Sequence, residues 1–144
     1  MLAPDVAANY AGKVARTLVA TDCVLFNPEN PFTLTSGRQS PVYVDVRKLI
    51  GFERERHEVT LMLRHLADAT GGERGFDVVA GGETAGIPYA AFLATEMDAP
   101  MSYVRKKPKG FGRDARIEGA PVAGSRVLPV EDMATDGGSK VSFV

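Results

Sequence analysis

The sequence of 144 residues has the length of one ordinary domain, and its 44% hydrophobic and 24% charged residues argue against a disordered tail. Seventeen lysines and arginines stand against eighteen aspartates and glutamates, and the net charge of −1 gives no reason to expect nucleic acid as a partner. No stretch is apolar for long enough to span a bilayer, no signal-peptide block opens the chain, and the single Cys23 excludes an intramolecular disulfide and a cysteine-based zinc cluster, so a cytoplasmic protein without membrane attachment is expected.

In chain order, residues 5–20 are predicted as a helix, with Asp5 as N-cap and Val6, Tyr10, Val14 and Leu18 recurring at every fourth position. Asn27-Pro28-Glu29-Asn30-Pro31 is turn chemistry, and residues 32–35 and 42–46 are short extended candidates on either side of Ser36-Gly37. Residues 53–69 read as a second helix, with Val59, Met62, Leu63 and Leu66 on one face and Gly71-Gly72 as its end. His57 and His65 fall on the exposed or boundary face of that helix, with no partner at metal-ligand spacing. The second half changes rhythm. Residues 76–80 are a short apolar strand, Gly81-Gly82 follow, and residues 87–97 are helical with Pro88 in the first turn. Residues 101–105 are another strand, 106–117 a polar loop without regular structure, and 126–130 a third strand. This alternation predicts an α/β fold with a parallel sheet, in which ligands sit at the carboxyl ends of the strands.

Each strand end carries residues suited to a ligand. The third strand delivers Glu131 and Asp132, and adjacent carboxylates can accept hydrogen bonds from the vicinal hydroxyls of a sugar. Thr135-Asp136-Gly137-Gly138-Ser139 can then turn backbone N–H groups and hydroxyls toward a phosphate. Together they describe a site for a phosphorylated pentose; the blander alternative is a strand followed by an Asp-capped turn. After the second strand, Arg105, Lys106, Lys107, Lys109 and Arg113 are concentrated among Pro108, Gly110 and Gly112. A mobile cationic loop suits a polyanionic leaving group such as pyrophosphate, and its alternative is a solvated surface loop. Gly81-Gly82-Glu83-Thr84-Ala85-Gly86 can cradle pyrophosphate oxygens, although glycine-rich loops of this kind also arise from packing. Tyr43 can stack on a planar ring or be simply half-buried, and Cys23 is expected to be a buried, inert thiol.

In this order the four stretches resemble the orotate phosphoribosyltransferases over residues 32–144. The run from Val130 to Ser139 is similar to the phosphoribosyl-diphosphate (PRPP) signature of type I phosphoribosyltransferases generally. The narrower likeness rests on Phe32-Thr33-Leu34-Thr35-Ser36-Gly37-Arg38-Gln39-Ser40-Pro41, on Gly86-Ile87-Pro88-Tyr89-Ala90, and on Arg105-Lys106-Lys107-Pro108-Lys109-Gly110. The resemblance implies a type I phosphoribosyltransferase-like α/β fold, with a parallel sheet flanked by helices. It implies one domain over 1–144, with an N-terminal helix and hood-like, base-side segment in 1–52 and the PRPP-binding core in 53–144. It implies transfer of the 5-phosphoribosyl group from PRPP to orotate, giving orotidine 5′-monophosphate and diphosphate in pyrimidine (UMP) biosynthesis.

The resemblance also implies roles. Glu131 and Asp132 would hold the ribose hydroxyls, and Met133, Ala134, Thr135, Asp136, Gly137, Gly138 and Ser139 would wrap the 5-phosphate. Thr135 and Tyr43 would meet orotate. Arg105, Lys106 and Lys109 would bind the diphosphate, with Arg105 and Lys109 offered across a homodimer interface. Lys106, Lys109 and Asp132 are the residues expected to carry catalysis. Mg²⁺ would arrive with PRPP, held by substrate oxygens and water, with no metal-binding set of protein ligands. Four positions depart from the family pattern: Thr35 and Ala85 where many bacterial members carry lysine, Phe111 where histidine is frequent, and Pro129 inside the PRPP strand. Family members also continue through at least one more strand and helix, which include an arginine for orotate's carboxylate, so a truncated form is expected. The alternatives are a phosphoribosyltransferase for another base and a PRPP-binding regulatory module.

Overall fold

A computed structural model of the chain describes residues 2–134 apart from 35, 109, 111 and 113. It divides at Arg56 and His57 into two units, one running from Ala3 to Arg56 and the other from His57 onward.

The first unit opens with α1 (Pro4–Ala20). Its N-cap is Ala3, not the expected Asp5, and Pro4 occupies the first turn. Proline suits that position because its missing N–H would have no intrahelical acceptor, and Asp5 instead places its charge at the positive end of the helix. Val6, Tyr10, Val14 and Leu18 do share a half-buried stripe, as their spacing predicts. Cys23 is fully buried just beyond, with its Sγ 3.1 Å from Thr21 Oγ1. Four short strands follow: β1 (Val24–Phe26), β2 (Phe32–Thr33), β3 (Gln39–Ser40) and β4 (Val42–Val44). The extended candidates at 32–35 and 42–46 are real but shorter than predicted, and they have different partners. Antiparallel β2 pairs with β3 across the Ser36-Gly37 turn, whereas β4 pairs antiparallel with β1, which the sequence reading passed over. Strands of two or three residues are below the length at which alternation can be read. A 3₁₀ turn, Val46–Gly51, then buries Leu49.

The helix α2 (Glu53–Gly71) begins in the first unit and provides the second with its first element. Its buried residues are Val59, Thr60, Ala67 and Gly71, with Leu63 half-buried between them. The predicted stripe is therefore rotated: Val59 holds, but Leu66 is 46% exposed. The α-helix ends at Gly71, at the predicted Gly71-Gly72 stop, where Gly72 takes a φ of +62°, and a 3₁₀ turn, Gly72–Arg74, follows. The remaining elements are β5 (Val78–Gly82), α3 (Gly86–Met97), β6 (Met101–Val104), β7 (Ile117–Gly119) and β8 (Val127–Val130).

The sheet order is β7-β6-β5-β8, with β5, β6 and β8 parallel as the strand–helix–strand rhythm predicts. One correction concerns the segment 106–117, read as irregular throughout. Its last residue starts β7, an antiparallel edge strand with Val104 opposite Ile117. β5 is buried along its whole length, which is why it reads as an uninterrupted apolar run. The helix α3 packs on β5 and reaches β6 and β8, and buries Gly86, Tyr89, Ala90, Leu93 and Ala94 at helical spacing. α2 is fastened to the end of α3: Arg64 Nη1 donates to the Glu96 carbonyl, and His57 Nδ1 lies 3.4 Å from Glu96 Oε1.

Pro129 has a simple explanation. The Arg126 carbonyl faces β5, accepting from Asp77 N–H at 2.9 Å. By strand alternation Leu128 and Val130 also turn their N–H groups to β5, and Pro129 turns its missing N–H the other way. Among the described residues no strand pairs on that side.

At the opposite end of the sheet, Arg126 joins three elements. Its N–H donates to Asp77 Oδ2 at 2.6 Å, its Nη1 to the Gly71 carbonyl at 3.2 Å, and its guanidinium lies 5.3 Å from the Phe76 ring centroid. Arg126→Ala is expected to cost about 1–2 kcal/mol, from one side-chain hydrogen bond and one cation–π contact. A urea titration checks this: the midpoint should fall at constant slope. Among the described residues no helix is long and apolar enough to cross a membrane.

Candidate active site

The carboxyl ends of β6, β5 and β8 lie side by side, and each opens into a polar segment. From β5 the chain passes through Glu83-Thr84-Ala85 into α3, with a cis peptide bond between Glu83 and Thr84. Two glycines let this turn lie flat. A side-chain carbon on Gly81 would stand 2.7 Å from both the Gly86 carbonyl oxygen and Ile87 Cα. One on Gly86 would collide with the Val130 carbonyl and stand 3.3 Å from Glu131 Cα and 3.2 Å from Glu131 Oε2. The N-terminus of α3 is thus pressed against the end of β8, where the carboxylates emerge.

Glu131 and Asp132 are half-buried, and Met133 and Ala134 are exposed. The predicted phosphate-binding residues Thr135, Asp136, Gly137, Gly138 and Ser139 lie outside the described residues, as do Lys109, Thr35 and Phe111. From β6, Arg105 is half-buried and Lys106 and Lys107 are exposed. The root of this cationic loop is fastened on both sides. Arg105 N–H donates to the Arg116 carbonyl at 2.8 Å, and Arg116 Nε returns a bond to the Arg105 carbonyl at 3.3 Å. On the β5 side, Glu83 N–H donates to the Val104 carbonyl at 2.9 Å, and Glu83 Oε2 accepts from Lys106 N–H at 2.9 Å. Within the loop, Gly110 N–H donates to Asp114 Oδ1 at 2.7 Å.

The structure therefore brings Arg105, Lys106, Glu131 and Asp132 to one end of one sheet, around the loop that begins α3. Glu83 is the participant that the sequence reading left without a role. Its Lys106 partner is 23 positions away, and no local signal marks it. Ala85 is the N-cap of α3 without a side-chain cap bond.

Tyr43 belongs to the other unit. It is half-buried, its ring lies 5.5 Å from that of Phe32, and its hydroxyl accepts from Arg47 Nη2 at 2.9 Å. Arg47 Nε donates to Asp45 Oδ1 at 2.8 Å, and this hydrogen bond and the Asp45 charge raise the Arg47 pKa above its ordinary value. A cleft of about 360 Å³ over Ala80, Gly82, Val104 and Pro129 is mostly apolar and includes none of the charged residues named above. Among the described residues no three His, Cys, Asp or Glu side chains cluster closely enough to hold a metal ion.

Carboxylates on one strand, cations two strands away and a helix N-terminus between them suit a ligand with both hydroxyls and anionic groups. No family model matches the chain. It is 55% identical over 141 residues to an orotate phosphoribosyltransferase of Roseobacter denitrificans, covering 98% of this chain and 62% of that relative. The crystal structure of orotate phosphoribosyltransferase from Aeropyrum pernix superposes with a TM-score of 0.69 at 32% identity, over 90% of this chain and 70% of that one. Leishmania donovani UMP synthase gives a TM-score of 0.72 at 32% identity, over 91% of this chain and 27% of that one. The chain spans 56% to 62% of the length of the curated relatives it matches.

Proposed function

Because this chain belongs to the orotate phosphoribosyltransferase family, we propose that it provides the PRPP site of an enzyme that transfers the 5-phosphoribosyl group from PRPP to orotate. The products are orotidine 5′-monophosphate and diphosphate, in cytoplasmic pyrimidine biosynthesis. The observation that supports this reading most directly is the convergence of Glu131 and Asp132 with Lys106 around the N-terminus of α3.

In this reading Glu131 and Asp132 accept hydrogen bonds from the ribose hydroxyls and fix the sugar's orientation. Met133, Ala134, Thr135, Asp136, Gly137, Gly138 and Ser139 enclose the 5-phosphate, and Tyr43 and Thr135 meet the base. Orotate N1 attacks C1 of the ribose as the C1–oxygen bond to diphosphate breaks, and the N1 proton passes to the departing diphosphate or to water. Charge then gathers on the departing diphosphate, and Arg105, Lys106 and Lys109 neutralise it. A Mg²⁺ held by the oxygens of PRPP and by water would add to the charge neutralisation when bound. Arg105 and Lys109 serve the neighbouring subunit's site in a homodimer.

Two measurements test the assignment. Titration with PRPP in the presence of Mg²⁺ should give saturable binding, and product analysis with orotate should yield orotidine 5′-monophosphate. Product from adenine or hypoxanthine in its place would redirect the assignment to another base. Asp132→Asn keeps the side-chain shape and loses a charge-assisted bond, so PRPP affinity should fall about tenfold while the far-ultraviolet circular dichroism is unchanged. Unaltered affinity would return Glu131-Asp132 to the status of a capped turn.

A further inference from the structure

Glu83 presents a contradiction in charge. It sits at the base of a loop that carries Arg105, Lys106 and Lys107, yet a carboxylate there repels the anion the loop is proposed to bind. Its geometry resolves this. Glu83 Oε2 accepts the backbone N–H of Lys106 at 2.9 Å, while its own N–H donates to the Val104 carbonyl at 2.9 Å. One residue thus grips the chain on both sides of Arg105. The intervening residue is held from the other direction by Arg116, through bonds of 2.8 and 3.3 Å. The last residue of β6 and the first two of the loop are thereby fixed between β5 and the returning chain.

We infer that Glu83 is a positioning residue for the cationic loop, acting as a hydrogen-bond acceptor and not through its charge. The inference rests on the PRPP-site reading above. The backbone N–H of Lys106 is the first loop donor beyond β6 not taken up by the β7 side among the described residues, and the Glu83 side chain from the β5 turn meets it there. With that bond made, Arg105 and Lys106 leave the sheet from a fixed point, and less freedom remains to be lost when an anion binds.

Acceptor and charge can be separated by substitution. Glu83→Gln keeps a carbonyl oxygen that can accept from Lys106 N–H and removes the negative charge. Glu83→Ala removes both. If Glu83 positions the loop, Glu83→Ala should bind PRPP about tenfold more weakly. Glu83→Gln should bind within about threefold of the wild type, or more tightly because the repulsion is relieved. Hydrogen exchange of the Lys106 amide should accelerate in Glu83→Ala and stay near wild type in Glu83→Gln, with thermal midpoints of all three chains compared as a control for folding. Equal losses in the two variants would show that the charge matters and overturn the inference. Tighter binding by Glu83→Ala, or unchanged Lys106 exchange, would also overturn it. Absence of PRPP binding by the wild type would instead remove the reading on which the inference stands.

Discussion

Leu93→Ala is expected to lower stability by about 2–5 kcal/mol, the largest effect of any single truncation considered in this chain. Leu93 is 2% exposed and stands in the middle of the α3 face that packs on β5 and reaches β6 and β8. Its neighbours on that face, Tyr89, Ala90 and Ala94, belong to the same rigid helix. The sheet beneath is a backbone ladder, so neither side can close fully over the space that three lost carbons leave. Dispersion contacts are lost along with the transfer free energy. Equilibrium unfolding in urea measures this directly. Leu93→Met, which conserves volume, should cost less than about 1.5 kcal/mol. Leu66→Ala is the informative contrast. Leu66 belongs to the predicted apolar stripe of α2 but is 46% exposed, so its truncation should change stability by no more than about 0.5 kcal/mol. A large loss at Leu66 and a small one at Leu93 would contradict the packing described.

Gly86→Ala should cost about 3 kcal/mol, near the upper end for forcing extra volume into a packed interior. The added carbon would meet the Val130 carbonyl oxygen and Glu131 Cα, which are backbone and cannot rotate away as a flexible side chain would. Either α3 lifts from the sheet or the end of β8 moves. Both responses displace Glu131 and Asp132 from the N-terminus of α3. The substitution is therefore expected to weaken PRPP binding by more than tenfold even at temperatures where the chain remains folded. Gly51→Ala supplies the control. A carbon there meets nothing within 4 Å, and stability should be unchanged or raised by about 0.4–1 kcal/mol through a less flexible unfolded chain. Unfolding curves and PRPP titrations of the two variants should separate sharply. A Gly86→Ala chain with wild-type stability and affinity would mean that the close approach of α3 to β8 is not part of the binding site.

The sequence by itself determined the elements whose information is local. The half-buried stripe of α1 follows from apolar residues four apart. The three parallel strands were found within two residues of their ends, because each is a short, mainly apolar segment, and β5, buried along its whole length, reads as a continuous apolar run. The polar strand ends Arg105-Lys106 and Glu131-Asp132 were also legible, since a change from apolar to charged residues marks where a strand leaves the core. Tertiary structure decided what depends on distant partners. β1 and β7 are strands only because β4 and β6 supply their ladders, and three residues carry too little pattern to announce it. The buried face of α2 turned toward Thr60 and Ala67 and left the more apolar Leu66 largely exposed, a choice set by what lies opposite the helix and not by its own periodicity. Pro129 is tolerated because strand parity points its nitrogen away from β5. Glu83 met Lys106, and Gly86 met Val130, across 23 and 44 positions of chain. Side-chain periodicity encodes which way a residue faces; which backbone waits opposite is fixed only when the sheet closes.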